Sequence, residues 1–315
     1  MGRVAIAGGT GGLGRSVTEE ISATGKHDIF VLSRGQKYDI FGSDSGIKIL
    51  LVDYSSPDSL AEILGTNNID TIISTMSIIS EEQSQAQLNL IDAAIQSQTV
   101  KRFAPSHFGI DYDEAKKHVA MRDYKCAAIC KLKSSPLSFT SYICGFFLDY
   151  YGYPYAPTYL SPMHIVLDME NAKAAIPGNG EVPVVFTHSK DVGKFVAASL
   201  ELREWPEKAF MVGDKVTLNE LLRQAEHATG KRFDVSYDPI GKLKQYKVTE
   251  LPANIPRYAF FPKQNMDGML AMMGLGMAEG WFNFPQKTLN DLCTEVHPTS
   301  IEAFLNKYWK TNQVR

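Results

Sequence analysis

The chain has 315 residues, of which 44% are hydrophobic, and its 32 basic and 35 acidic side chains leave a formal charge of -3. That size can bury a large core, and the near balance of charge argues against a protein that grips nucleic acid through its overall field. A small molecule is the expected partner, with no nucleic acid and no membrane, and the expected assembly is a monomer or weak homodimer. Cys126, Cys130, Cys144 and Cys293 form no C-x-x-C pair and have no histidine at zinc spacing, so reduced packing thiols and no metal are expected. Val4-Ala5-Ile6-Ala7 follows the first residues at once, without an export-signal pattern, which makes a cytoplasmic location the expectation. The most apolar stretches, Phe139 to Phe147 and Met269 to Met277, fall short of the roughly 20 residues that span a bilayer.

In chain order, short β-rich runs alternate with helical patterns: Arg3–Ala7, Gly14 to Ala23, Ile29–Leu32, Ile47–Val52, Pro57 to Leu64, Thr71–Ser74 and Glu81 to Gln96. Strands are expected next at Arg102–Ala104 and Phe139 to Cys144, around a helix from about Ala115 to Lys133. This alternation predicts the α/β class, a Rossmann-type doubly wound parallel sheet with a smaller interleaved substrate-binding lobe. The Tyr- and Pro-dense run Tyr150 to Pro162 marks where the chain leaves the core. A strand at Val182 to Phe186 and a helix at Ser189 to Leu200 then suggest a return to it. The expected division is 1–150 with 182–213 for the nucleotide domain, and 151–181 with 214–315 mainly for the substrate lobe. Thr217 to Thr229, closed by Gly230, reads as a further capped helix in that lobe.

Gly8-Gly9-Thr10-Gly11-Gly12-Leu13-Gly14 directly follows the first strand and opens the first helix. Glycines there let the backbone turn tightly and let a pyrophosphate approach the free N–H groups at the helix start. Gly8, Thr10, Gly11, Gly12, Leu13 and Gly14 are therefore candidate cofactor contacts, and the G-x-x-G-x-x-G spacing points to the short-chain reductase branch of dinucleotide folds. Strand two ends Val31-Leu32-Ser33-Arg34, with no carboxylate for a ribose 2′-hydroxyl. Arg34 offers a planar cation for a 2′-phosphate, assisted by Lys37, so NADPH is the expected cofactor. Thr75 and Ser106 complete the expected cofactor set. Asp53 fits either an adenine contact or an ordinary turn cap.

With the glycine turn and Arg34, the segment Lys101-Arg102-Phe103-Ala104-Pro105-Ser106-His107-Phe108-Gly109 resembles the K-R-F-x-P-S-E-F-G of the isoflavone reductase-like and NmrA-like atypical short-chain reductases. Ile176-Pro177-Gly178-Asn179-Gly180 and Asp191-Val192-Gly193 match later segments, so the likeness spans nearly the whole chain. It implies hydride transfer from NADPH to an enone, imine or quinone-methide-like carbon. It also implies a catalytic lysine at Lys125, fifteen residues before Thr140, which touches the cofactor and relays a proton. Desolvation beside a nicotinamide cation would lower such a lysine's pKa toward working pH. His107 departs from the family's glutamate, at a position that faces the cofactor crevice; it could hydrogen-bond a substrate oxygen or pass a proton near neutral pH. Tyr112-Asp113-Glu114-Ala115-Lys116 spells another Y-x-x-x-K, but stands too soon after the strand to serve as the usual catalytic pair.

Expected substrate contacts are His107, Phe108, Phe147, Tyr150 and Tyr151, with Met163, Phe260, Phe261 and Met266 from the second lobe, an aromatic set suited to a phenolic or polycyclic ligand. Two other functions stay open on this fold. One is a dinucleotide-sensing regulator of the NmrA-like kind, whose members generally lack the lysine. The other is a redox-neutral isomerase, cyclase or dehydratase.

Overall fold

The structure is a computed structural model that describes residues 2–35, 40–113, 119, 121–285 and 287–310. The chain divides into two compact units, Met1–Ile143 with Ser189–Met211 and Lys287–Val296, and Cys144–His188 with Val212–Gln286 and His297–Arg315.

The first unit is built on β1 (Gly2–Ala7), α1 (Gly12–Ala23), β2 (His27–Ser33), β3 (Lys48–Leu51), α2 (Pro57–Thr66), β4 (Thr71–Ser74), α3 (Glu81–Ser97), β5 (Arg102–Ala104), α4 (Arg122–Lys133) and β6 (Ser138–Phe139). The strands form one parallel sheet in the order β3-β2-β1-β4-β5-β6. Alternation along β1 sends Ala5 and Ala7 to one face, where they join Leu60 and Leu64 of α2 and Leu90 and Ile91 of α3. Val4 and Ile6 are equally buried but stand outside that cluster, on the opposite face. That face is the side of α1 and α5 (Ser189–Ser199), which pack together closely enough that a Cβ on Gly193 would meet the Ser16 carbonyl. A sheet buried on both faces explains why its strands read as continuous apolar runs.

Strand order reverses between β1 and β4, and register aligns the strand ends there. Ala7 pairs with Leu32 on one side and Ser74 on the other, and Ile73 pairs with Ala104. The residues that follow, Gly8, Ser33-Arg34, Thr75 and Pro105-Ser106-His107, thus leave the sheet along one edge, at the switch point where such sheets bind ligands.

Helix α3 begins at Ser80, whose hydroxyl accepts from the Gln83 amide at 3.3 Å, with Glu81 and Glu82 in the first turn complementing the dipole. Helix α4 starts at Arg122 rather than near Ala115. Val119 is not helical, and 114–118 and 120, with Ala115 and Lys116, lie outside the described residues. The run expected as one strand to Cys144 divides at Thr140: β6 pairs with β5, and β7 (Ser141–Ile143) pairs with Lys208–Phe210.

In the second unit, Pro183–Thr187 pairs parallel with Phe146–Phe147 and antiparallel with Asp214–Thr217. The strand expected near 182–186 to rejoin the nucleotide domain is therefore formed but belongs to this unit, and the return starts at Ser189. A second sheet joins Lys173–Pro177 to Leu167–Asp168 and Asp234–Asp238. The helix Leu218–Thr229 has a capping box of Thr217 and Glu220 and ends at Gly230 with φ 63°. It packs on the helix Ile301–Tyr308.

Candidate active site

The glycine turn has a packed side and an open side. A Cβ on Gly14 would run into the Gly8 carbonyl and the Thr75 hydroxyl, and one on Gly9 would meet the Thr18 hydroxyl. Thr75 is the latch: its hydroxyl donates to the Ala7 carbonyl at 2.7 Å and its amide to the same oxygen at 2.8 Å. Gly11 and Gly12 face the other way, with no atom of the described residues within 4 Å of a Cβ built on either. Helix α1 starts between them with no side chain capping its first turn. Its leading N–H groups thus meet open space, the arrangement an anion requires.

Arg34 follows β2, exposed, and has no ion pair among the described residues. It lies within electrostatic reach of the Tyr54 phenol, whose hydroxyl donates to the Leu32 carbonyl at 3.2 Å. Lys37, its expected helper, lies outside the described residues. Asp53 is a turn cap: one carboxylate oxygen accepts from the Ser55 amide at 2.8 Å and the Ser55 hydroxyl at 2.7 Å, which holds the carboxyl below its usual range.

Beyond β5, the Ser106 peptide is clamped. Its amide donates to Gln87 Oε1 at 2.8 Å, its hydroxyl to the Met76 carbonyl at 2.7 Å, and its carbonyl accepts from Lys125 Nζ at 2.7 Å. Lys125 projects from α4 and is 7% exposed, with its Nζ 4.9 Å from the centre of the Tyr112 ring. The Tyr112 ring in turn meets His107 edge-on at 5.1 Å, and the Tyr112 amide donates to His107 Nε2 at 3.3 Å. Nε2 therefore accepts, which assigns the ring proton to Nδ1, an atom with no hydrogen-bond partner among the described residues.

Burial, with the Lys125 and Lys208 charges, pushes His107 down to about 3. The expectation that His107 passes a proton near neutral pH is thereby corrected, because the buried ring stays neutral; hydrogen bonding from Nδ1 remains compatible. Of the expected substrate contacts, Phe108 stacks on Tyr142 at 5.9 Å and is 9% exposed, and Tyr151 packs in the second unit against Phe146 and Phe186. Phe147 and Tyr150 are half-buried in that unit, ring edge to face at 6.2 Å. Met266 is core, Met163 is half-buried, and Phe260 and Phe261 are exposed.

The family model described as the NmrA-like family matches residues 1–283. This chain belongs to the NmrA-like family. It is an oxidoreductase. It is 38% identical to the oxidoreductase BOA1 of Botryotinia fuckeliana, over 74% of this chain and 78% of that protein. It is 30% identical to the oxidoreductase swnN of Metarhizium robertsii, over 99% of this chain and 98% of that one. Among solved structures, a leucoanthocyanidin reductase from Vitis vinifera in binary complex with NADPH has the same fold, with a TM-score of 0.77 at 22% identity, covering 98% of this chain and 99% of that one.

Sequence reasoning missed Gln87 and the place of Tyr112 beside Lys125. Gln87 is fully buried on the α3 face that carries Leu90, Ile91 and Ala94. A glutamine on an apolar stripe at helical spacing is a signal in itself, because a buried amide needs partners. Tyr112 was set aside as half of a catalytic pair with Lys116, and its contact with Lys125 depends on a fold-back between β5 and α4 that no local spacing encodes.

Proposed function

We propose that the protein is an NADPH-dependent reductase of an aromatic, phenolic or polycyclic metabolite, carried by one observation: a buried lysine clamped at the end of β5, on the sheet edge that also bears the glycine turn. The chain's residues fit the cofactor. Gly11 and Gly12 leave the start of α1 open to a pyrophosphate, and Arg34, exposed and with no ion pair among the described residues, is suited to a 2′-phosphate. Bound NADPH would supply the hydride for an enone, imine or quinone-methide-like carbon.

The side chains then supply the proton and the polarity. Lys125 holds a proton at Nζ and delivers it to the atom that gains negative charge as the substrate is reduced, and its charge stabilises that atom beforehand. The Ser106 carbonyl and the Tyr112 ring hold the ammonium in place. His107 keeps Tyr112 positioned through Nε2 and offers Nδ1–H to a substrate oxygen. Phe147 and Tyr150 furnish the aromatic wall of the substrate lobe. The phenolic class is supported by the name of the Vitis vinifera reductase.

Purified protein incubated with NADPH and a panel of quinonoid, enone and imine compounds should consume NADPH stoichiometrically with product. Lys125→Met should lose turnover by about 100-fold or more even at saturating NADPH, beyond any change in NADPH affinity. A variant as active as wild type would remove Lys125 from the chemistry. Product formed without net NADP⁺ would point to a redox-neutral enzyme, and NADPH binding without turnover of any compound to a regulator.

A further inference from the structure

The second unit contains a cation that neither the cofactor nor the proton transfer accounts for. Arg257 is half-buried on the 3-10 turn Pro252–Ala259, and among the described residues its guanidinium has no hydrogen-bond acceptor and no carboxylate partner. The turn is pinned in place. Its Ala253 amide donates to Asp168 Oδ2 at 2.9 Å, Asn254 Nδ2 donates to the His164 carbonyl at 2.8 Å, and the Arg257 carbonyl accepts from the Phe260 and Phe261 amides at 3.0 and 2.9 Å.

The guanidinium lies within electrostatic reach of the Tyr150 phenol and the His164 ring. Neither is a countercharge: burial keeps the phenol protonated and the imidazole neutral. The carboxylates of this region have other partners. Asp168 also accepts from Asn171 at 3.1 Å, Asp149 accepts from Thr158 at 2.8 Å and faces His188 Nε2 at 3.7 Å, and Glu250 pairs with Lys263 at 2.8 Å. The two rings within its electrostatic reach sit among other aromatics: Tyr150 meets Phe147 at 6.2 Å, and the His164 ring meets Tyr153 at 5.9 Å. A planar, permanently charged fork on a pinned backbone, with neutral rings in electrostatic reach and no acceptor among the described residues, is matched to a carboxylate on a flat ligand.

We propose that Arg257 is a specificity residue that recognises a carboxylate on a planar aromatic ligand, with the Tyr150 phenol as a second donor. The proposal rests on the reductase reading only in taking that ligand to be the substrate, since the recognition itself needs no turnover. The test uses the full chain and two flat probes of equal size, 2-naphthoate and 2-naphthamide, titrated by calorimetry, with NADPH titrated separately. Wild type should bind the carboxylate about tenfold more tightly than the amide, the scale of one charge-assisted hydrogen-bonded contact. Arg257→Leu should abolish that preference, and Arg257→Lys should keep part of it, while NADPH affinity and melting temperature stay unchanged in both. Equal binding of the two probes by wild type, a preference that survives in Arg257→Leu, or a loss confined to NADPH affinity would each overturn the proposal. Failure of the reductase reading looks different: no compound is reduced, yet the carboxylate preference persists.

Discussion

Alanine at Gly11 and alanine at Gly14 should do opposite things, although the two glycines are three residues apart in one motif. Gly11 has φ of -164°, extended backbone that any residue adopts, and a Cβ there meets nothing among the described residues within 4 Å. Its folding stability should therefore change by no more than about 0.5 kcal/mol. If a pyrophosphate lies against the start of α1, however, that methyl occupies its approach. Losing one charge-assisted hydrogen bond there costs about 1.5–3 kcal/mol, or roughly a ten- to hundredfold weaker NADPH Kd. At Gly14 the added Cβ collides with the Gly8 carbonyl and the Thr75 hydroxyl, groups held by backbone and by the Thr75 latch. Overpacking of that kind costs about 1–3 kcal/mol, of which alanine's better helix propensity returns at most about 1. Thermal melts with and without NADPH separate the two cases: Gly11→Ala should melt like wild type but lose the NADPH-induced upward shift, and Gly14→Ala should melt lower in both conditions. A Gly11→Ala protein that binds NADPH as tightly as wild type would refute the assignment of the open side to the cofactor.

His107 should make the fold acid-sensitive in a defined window. Its folded-state value of about 3 lies below the ordinary 6.5, so its contribution is fully present above pH 6.5. That contribution is lost as pH falls toward 3, at about 1.4 kcal/mol per unit, because the unfolded chain binds a proton that the buried ring refuses. In urea titrations between pH 7 and 4, wild type should lose stability more steeply than His107→Gln; parallel curves would mean that His107 titrates normally. Arg34→Ala should weaken NADPH binding about ten- to hundredfold and leave NADH binding unchanged. Equal losses for both cofactors would place Arg34 on something other than the 2′-phosphate.

The strand–turn–helix start and the parallel core were legible because each rests on local information. Val4 to Ala7 and Ile29 to Leu32 are unbroken apolar runs, as strands covered on both faces must be. Gly8 to Gly14 needs backbone freedom that few other residues have. Lys125 stands out in the sequence only through a family spacing, and its clamp does not show there: the Ser106 peptide joins α3, β5 and α4 through Gln87 and Lys125, residues 19 positions away on either side. Phe108 and Tyr151 pack on other rings, which their sequence does not announce, because an aromatic beside a site has the same local signature whether it faces a ligand or another ring. The change of partner at Thr140 escaped for a similar reason. A strand's sequence records its burial but not its neighbour, and here the neighbour of β7 lies at 208–210.

That change of partner constrains how the protein is made. Thr140 donates its hydroxyl to the Pro206 carbonyl at 2.6 Å, Ser141 donates to the Glu207 carbonyl at 2.8 Å, and Ser16 of α1 meets Ser189 of α5 at 3.3 Å. A ribosome that has released residues 1–143 has therefore released a six-stranded sheet with one face of α1 bare and β7 without its ladder. About seventy more residues, most of them belonging to the other unit, must emerge before both are covered. Truncation at the apparent end of the nucleotide unit should give an aggregating fragment, and a split of the chain that preserves both partners has to keep 189–211 in reach of the first 143 residues.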